Sequence, residues 1–151
     1  MTSHDKPVRV HLVVGGFPRG SYAGHDLDYV RLRLLQRLQE TGRARVSVSA
    51  DFGDIVTCLS TSDFLVTYVA GPFLDDLQAQ NGSKWLDRGG RWLALHGTSG
   101  GRAVPLPDGQ SGRMMSKANH HEVLGAFFLN HPPIRRFRVD VRDCEHPLTR
   151  G

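Results

Sequence analysis

Apolar runs that end at glycine or at a polar turn recur along the chain and predict buried strands. They occupy residues 8–14, 63–70 and 91–95, and a fourth segment, 44–50, alternates valine with serine. Continuous runs of this kind are typical of parallel strands that are covered on both faces of a sheet. We therefore expect a mostly parallel sheet, with residues 91–95 as its central and fully buried strand.

Between the strands, apolar residues recur at spacings of three and four, which predicts helices. Residues 27–41 are the clearest example, with Asp26 as the expected N-cap and Gly42 as the stop. A second helix is expected from about Phe73 to Leu86. The remaining segments are predicted as a turn at 51–54, a surface excursion at 103–112, a short helix at 119–128 and a strand at 134–141. This alternation of elements indicates an α/β layer protein.

Length and composition are those of an ordinary globular domain. We expect the 151 residues to form one domain at 8–151, preceded by a frayed lead at 1–7. The net charge of +4 comes from scattered arginines rather than a dense basic run, so nucleic-acid binding is not expected, whereas an acidic or phosphorylated small ligand fits the charge. No segment has the form of a membrane span or secretory signal, and the separate cysteines Cys58 and Cys144 are interpreted as reduced thiols of a cytoplasmic protein.

The strand at 91–95 is followed by His96 and a glycine-rich turn, and this stretch is the best candidate for a site. In an open α/β sheet, ligands bind beyond the carboxyl ends of the strands. A side chain directly after such a strand points into that crevice, and glycines let backbone N–H groups approach a ligand. His96 is therefore the first candidate for a catalytic residue, and Gly97, Thr98 and Ser99 are candidates for substrate binding. An ordinary turn histidine is the alternative.

Three further histidines follow other predicted elements and can converge with His96: His25, His131 and His146. Imidazoles serve as general acids and bases near neutral pH, and Asp26 beside His25 can assist. Neutral imidazoles also bind divalent metals, for which His25, His96 and His131 are the candidate ligands. No short H-x-x-x-H or H-E-x-x-H spacing is present, so a divalent metal is one possibility and a metal-free histidine cluster is the other.

Two other motifs match patterns that carry chemistry in other proteins. Residues 97–101 satisfy the G-x-S-x-G pattern of a serine-hydrolase elbow, with Ser99 as the nucleophile, but the proline-containing segment that follows is poor material for the helix an elbow requires. A serine hydrolase is therefore the weaker alternative. The glycine loop at 15–24 has neither a G-x-G-x-x-G nor a P-loop pattern, so no nucleotide is expected. Tyr22 in this loop is a candidate for stacking on a sugar ring, with packing in the core or a lid as an equal alternative.

Four motifs, in order along nearly the whole chain, resemble the trehalose-utilisation (ThuA-like) family. They are Gly24-His25-Asp26, the Gly89-Gly90-x-x-x-Ala94-Leu95-His96-Gly97 stretch, the segment from Leu124-Gly125-Ala126-Phe127 to His131-Pro132, and Asp143-x-x-His146-Pro147-Leu148-Thr149-x-Gly151. The resemblance implies a three-layer flavodoxin-like sandwich similar to that of the class I glutamine amidotransferases. Family domains usually continue past the last motif, so the resemblance also implies that the C-terminal part is missing.

In the related amidotransferases a cysteine occupies the turn where His96 stands, so the resemblance implies no cysteine-based amide transfer. Family members are associated with sugar and glycoside catabolism, which implies a sugar-handling enzyme acting on a carbohydrate or keto-sugar derivative. His25, His96, His131 and His146 would line or support its pocket, and the backbone amides of Gly97–Gly100 would stabilise an oxyanion. The implied partner is a small carbohydrate rather than nucleic acid or membrane, and the chain can form a homo-oligomer. A non-catalytic carbohydrate-binding domain stays open as the alternative.

Overall fold

Four parallel strands form the centre of the fold in a computed structural model that describes residues 6–16, 26–129, 132–133 and 135–150. The strands are β1 (Val8–Gly15), β2 (Ala44–Ser49), β3 (Phe64–Val69) and β4 (Arg91–Leu95). Their order across the sheet is β2-β1-β3-β4, and every neighbouring pair is parallel. This order is that of a flavodoxin-like sheet, in which the chain changes its direction of travel between β1 and β3.

Helices cover both faces of this sheet and complete the three-layer α/β sandwich that the sequence predicted. Helix α1 (Leu27–Glu40) packs over Val10, Leu12 and Val14 of β1. Helices α2 (Ile55–Ser60) and α3 (Asp76–Asp87) cover the opposite face, where Val13 and Leu65 lie, and α4 (Asn119–Leu124) packs beside α3. Alternate residues of a strand point to opposite faces, which is why β1 contributes to two separate hydrophobic clusters. No helix of the described residues is long and apolar enough to cross a membrane.

Side-chain caps determine where the longer helices begin. The Asp26 carboxylate accepts a hydrogen bond from the Tyr29 backbone N–H at 2.9 Å, which confirms the predicted N-cap of α1. Asp75 and Gln78 form a reciprocal capping box at the start of α3. The prediction that this helix begins at Phe73 was therefore wrong by three residues, because the cap at Asp75 fixes Asp76 as its first helical residue.

Strand β4 is an edge strand of the described sheet, so its predicted central position was wrong. Its residues are exposed or half-buried, and Leu93 is 46% exposed. The central positions belong to β1 and β3, whose Leu12 and Val66 are buried. The apolar residues of β4 indicate a strand with apolar faces. They do not indicate how many strands lie beyond it in the sheet. No described segment pairs with its outer side.

The second half of the chain departs further from the predictions. Residues 103–112 were expected as a surface excursion, but residues 103–105 belong to β5 (Arg102–Pro105), which pairs with β6 (Arg113–Ser116) in an antiparallel hairpin, and only the remainder forms the loop between the two strands. Helix α4 ends at Leu124 rather than 128, because Gly125 adopts a left-handed conformation that caps it. The strand predicted at 134–141 is absent over its described residues, 135–141, which are exposed and carry no regular structure. Helix α2 was not predicted.

Candidate functional site

A cleft of about 810 Å³ opens at the carboxyl edge of the sheet, beyond the ends of β1, β2 and β3 and beside the start of α3. Gly16 follows β1, Gly71 and Pro72 follow β3, and the turn after β2 supplies the remaining wall. In doubly wound folds this change in strand order leaves a crevice between loops that run to opposite faces, which is the usual ligand position. The topology therefore places the candidate binding cleft between β1 and β3.

The lining of the cleft combines hydrogen-bond acceptors with aromatic surface. Asp51 accepts a hydrogen bond from the Gly53 backbone N–H at 2.8 Å, and Asp75 is held by the capping box of α3. Phe52 and Phe73 contribute ring surface to the same cleft, and the Gln78 amide is fixed by a 2.8 Å hydrogen bond to the Phe52 carbonyl. Carboxylates and an amide beside aromatic rings can bind hydroxyl groups and pack against an apolar sugar face.

His96 lies beyond the same carboxyl edge, but after β4 rather than at the switch point where the sequence argument placed it. It is exposed, and its ring stacks on Tyr68 with centroids 5.1 Å apart and planes 20° from parallel. Its backbone has φ = 49°, in the left-handed region that few residues other than glycine adopt. Such a conformation at a strand-to-turn junction is maintained only when the surrounding contacts enforce it.

The turn after His96 packs tightly on β3. A Cβ atom added to Gly97 would lie 2.8 Å from the Val69 carbonyl oxygen, so only glycine fits this approach. Thr98 is completely buried, and its hydroxyl accepts a hydrogen bond from the Val69 backbone N–H at 3.2 Å. The Thr98 side chain joins the turn to the core and is closed to a ligand, so the predicted contact with substrate is limited to the backbone of Thr98.

Ser99 does not occupy a nucleophile elbow. A 3₁₀ turn spans His96–Ser99, so the serine lies four residues beyond β4, and the left-handed residue of the turn is His96. The Ser99 hydroxyl lies 3.4 Å from the His96 carbonyl oxygen, to which it donates. The Gly100 backbone N–H donates to the Gly97 carbonyl at 2.8 Å, which removes it from the set of amides expected to face an oxyanion. Ser99 remains half-buried at the rim of the turn.

Two adjacent histidines of α4 form hydrogen bonds with this turn, and nothing in their sequence pattern predicted that role. The Nε2 atom of His120 lies 2.7 Å from the Thr98 carbonyl oxygen, and Nε2 of His121 lies 2.8 Å from that of Gly100. Because a carbonyl oxygen only accepts, each Nε2 carries the donated proton. Both rings are buried, at 0% and 1% exposure. In the sequence these residues form a pair of adjacent histidines within a predicted helix. The same pattern is also typical of an exposed helix surface.

His120 sits in an aromatic cage and is electrically neutral there. Its ring contacts Phe52, Phe73 and Trp92 at centroid distances between 5.0 and 6.1 Å. Burial lowers the pKa of His120 below its ordinary value, and the hydrogen bond to Thr98 opposes that effect only in part. Within the described residues its buried Nδ1 has no hydrogen-bond partner. The cage joins the turn after β4 to the cleft, because Phe52 and Phe73 also line the cleft.

The other predicted site residues are distributed as follows. Asp26 lies at the start of α1, where one carboxylate oxygen caps the helix. His146 is exposed in the segment 135–150, and its Nδ1 accepts from the Leu148 backbone N–H. His25, Tyr22 and His131 lie outside the described residues. In the described ranges no three His, Cys, Asp or Glu side chains are placed so that they could hold a metal ion.

Fold and cleft together define a doubly wound α/β protein with a ligand crevice at the switch point of its sheet. No family model, no curated protein and no solved structure matches the chain. The ThuA-like resemblance therefore rests on the four sequence motifs alone.

Proposed function

We propose that this chain is a sugar-handling enzyme that acts on a carbohydrate or keto-sugar derivative at the carboxyl edge of its sheet. The observation that carries the proposal is the backbone of His96, held at φ = 49° directly after β4 with its ring exposed. Strained backbone conformations cluster at functional sites, because a loss in stability is retained only where it positions a group. The ThuA-like motifs, which include His96 itself, give the substrate class.

In this proposal His96 acts as the general acid/base. The stacking partner Tyr68 fixes the plane of the imidazole, and the buried His120–His121 pair fixes the turn that carries it. An exposed imidazole can move a proton to or from a sugar hydroxyl or a carbon beside a carbonyl. Backbone amides of the turn other than that of Gly100 remain candidates for stabilising negative charge that develops on a carbonyl oxygen.

The cleft between β1 and β3 supplies the binding surface. Asp51 and Gln78 offer fixed acceptors to hydroxyl groups, and Phe73 offers a ring surface. A second candidate follows from the same lining: the described wall of the cleft contains carboxylates and an amide but no histidine, cysteine or lysine. Such a composition suits a non-catalytic carbohydrate-binding domain as well as an enzyme.

One experiment separates these candidates. Wild type, His96→Ala and the surface variant Gln39→Ala, at an exposed position of α1, are incubated with a panel of disaccharides and keto-sugars, with product formation and binding measured on the same samples. We expect His96→Ala to lower turnover of an accepted sugar about a hundredfold or more, the size of a lost general acid/base, with binding little changed. Gln39→Ala should match wild type. Equal turnover in all three proteins contradicts the role of His96, and saturable binding without product in wild type favours the binding domain.

A further inference from the structure

The amino edge of the sheet, opposite the proposed sugar site, carries two adjoining concavities of about 250 and 390 Å³. They lie where the amino ends of β1, β3 and β4 meet the carboxyl end of α3. Asp63 and Gly89 line both, so the two form one bent depression around the turn at Gly89. We call this depression the amino-edge pocket.

The amino-edge pocket is lined by four cationic side chains and one carboxylate. Lys6 comes from the residues before β1, Arg9 from β1, Arg88 from the end of α3 and Arg91 from the start of β4. The carboxylate is that of Asp63. Because the parallel strands begin at the same edge, four separate parts of the sequence bring positive charge to one place, although the sequence itself has no basic run.

Asp63 forms its hydrogen-bonded ion pair with Arg9, and Lys6 interacts with the same carboxylate at longer range. The Arg9 guanidinium donates to both carboxylate oxygens of Asp63, at 2.6 and 3.0 Å, and the Arg9 backbone N–H adds a third hydrogen bond. These bonds to Arg9 lower the pKa of Asp63 to about 2, so this pair is fully formed and neutral overall at physiological pH. This bidentate pair holds the Arg9 guanidinium in one orientation.

The other three cations are not compensated in this way. In the ranges that the structure describes, no carboxylate lies within ion-pair distance of Lys6, Arg88 or Arg91. Arg45 of β2 pairs in register with Arg9 and adds a further positive charge at the same edge. A concave site with several uncompensated cations around one neutral pair concentrates positive potential and attracts a compact anion.

We propose that the amino-edge pocket binds the phosphate group of a small ligand. Lys6 and Arg91 line one of the two concavities, and Arg88 lines the other. Arginine forms paired hydrogen bonds to phosphate oxygens and lysine adds a point charge, so each concavity offers a cation suited to phosphate. The Asp63 carboxylate, fixed inside the pocket, limits the room for further negative charge and so favours a single phosphate over a polyanion. This site is separate from the proposed sugar cleft, which lies at the other edge of the sheet.

The test titrates the full chain with inorganic phosphate and, separately, with glycerol 3-phosphate, at constant ionic strength, by calorimetry and by amide chemical shifts. The disrupting variant is Arg88→Gln/Arg91→Gln, and the control is Arg33→Gln, which removes an exposed arginine of α1 that bonds to Gln36 on the same helix. We expect saturable binding in wild type and control, weakened at least tenfold in the double variant, with shifts centred on Gly89 and Gly90. Tighter binding of one probe identifies free phosphate or a phosphate monoester as the source.

Three results would overturn the proposal. The first is an absence of saturable binding of either probe while the protein is folded. The second is equal binding by wild type and the double variant, which would place any phosphate elsewhere. The third is equal weakening by Arg33→Gln or binding of heparin alone, which would show a diffuse response to net charge. Thermal unfolding without phosphate checks that the double variant is folded; if it is not, Lys6→Gln, which changes only an exposed side chain, replaces it in the same titration.

Discussion

The buried His120 and His121 side chains connect helix α4 to the turn that follows β4. They donate to the carbonyls of Thr98 and Gly100, two residues that close the turn after His96. Both donations require a proton on Nε2, which the neutral tautomer supplies. A second proton on Nδ1 of His120 would place an unpartnered cation among Phe52, Phe73 and Trp92. The turn is therefore stable only while His120 is neutral.

This arrangement predicts that the free energy of unfolding falls on acidification. Burial lowers the pKa of His120 in the folded state below its ordinary value of 6.5, so the unfolded chain binds more protons in acid. Its contribution is complete above about pH 6.5 and is lost as the pH falls from there toward the folded-state pKa. We expect His120→Gln, whose amide can still donate to Thr98, to lose less stability between pH 7 and 5 than wild type does, as measured by denaturant unfolding.

His146→Gln is the matched control because it removes a histidine that is exposed. It should keep the pH dependence of wild type. Buried His11, whose pKa is also lowered by burial, leaves a residual dependence in both variants. If His120→Gln and wild type lose the same stability between pH 7 and 5, the pKa of His120 is the same in the folded and unfolded states, which contradicts the prediction.

At the scale of elements, the sequence predicted the features that depend on interactions between residues close together in the chain. The caps of α1 and the runs of β1 and β3 depend on near neighbours in the chain, and they lie close to where the sequence placed them. The position of β4 depends on what pairs beyond it, which its own residues do not encode. The same reason applies to 135–141, where Phe137 and Val139 alternate with charged residues as in a strand but remain exposed and unpaired.

Close packing between elements gives a prediction about two glycines. A Cβ atom added to Gly15 at the end of β1 would lie 1.6 Å from the Ala50 carbonyl oxygen, whereas one added to Gly82 in α3 meets nothing nearer than 3.8 Å. We expect Gly15→Ala to lower the free energy of unfolding by about 1–3 kcal/mol or more through overpacking. Gly82→Ala should raise it by about 0.5–1 kcal/mol, because alanine favours a helix over glycine.

Chemical denaturation of both variants checks this pair, and each serves as the control for the other because the added group is the same methyl. A Gly15→Ala protein as stable as wild type would mean that β1 and the turn after β2 can separate without cost. A destabilised Gly82→Ala protein would mean that α3 packs more closely on Leu74 and Val123 than the 3.8 Å distances indicate.

At the scale of the whole molecule, the two edges of the sheet differ in chemical character. The carboxyl edge presents aromatic rings and carboxylates around the cleft, with His96 beyond it, and the amino edge presents Lys6, Arg88 and Arg91. Parallel topology causes this separation, since it gathers residues by their position at the start or end of each strand. The net charge of the sequence cannot reveal it, because the same arginines look scattered along the chain.

The candidate site was predictable in part for the same reason. The position of His96 beyond the carboxyl edge could be predicted because the residue directly follows an apolar strand, but the place of that strand in the sheet could not. The burial of the Thr98 side chain, two residues later, could not be predicted because turn residues can face either a ligand or the core, and its burial depends on β3. His120 and His121 could not be assigned, since the packing of α4 against the turn is a contact between segments about twenty residues apart.

The exposed segment at 135–150 leads to the last prediction. All of its described residues are exposed, none belongs to a helix or strand, and its hydrogen bonds, such as those of Asp143 with Glu145 and His146, are local. Proteases cut extended backbone that can enter their active site without unfolding the rest of the protein. We therefore expect trypsin to cleave first after Arg138 and Arg142, as followed by mass spectrometry of a time course.

Arginines on α1 provide an internal control in the same digest. Arg33 and Arg37 are also exposed, but their backbone is helical and must open before it is cut. Cleavage after Arg138 and Arg142 should precede cleavage after Arg33 and Arg37 and leave a resistant fragment that retains β1 to α4. Simultaneous cleavage at all four positions would indicate that α1 opens as readily as the exposed segment. Protection of Arg138 and Arg142 would mean that residues 135–150 are covered in solution, by this chain or by a second copy.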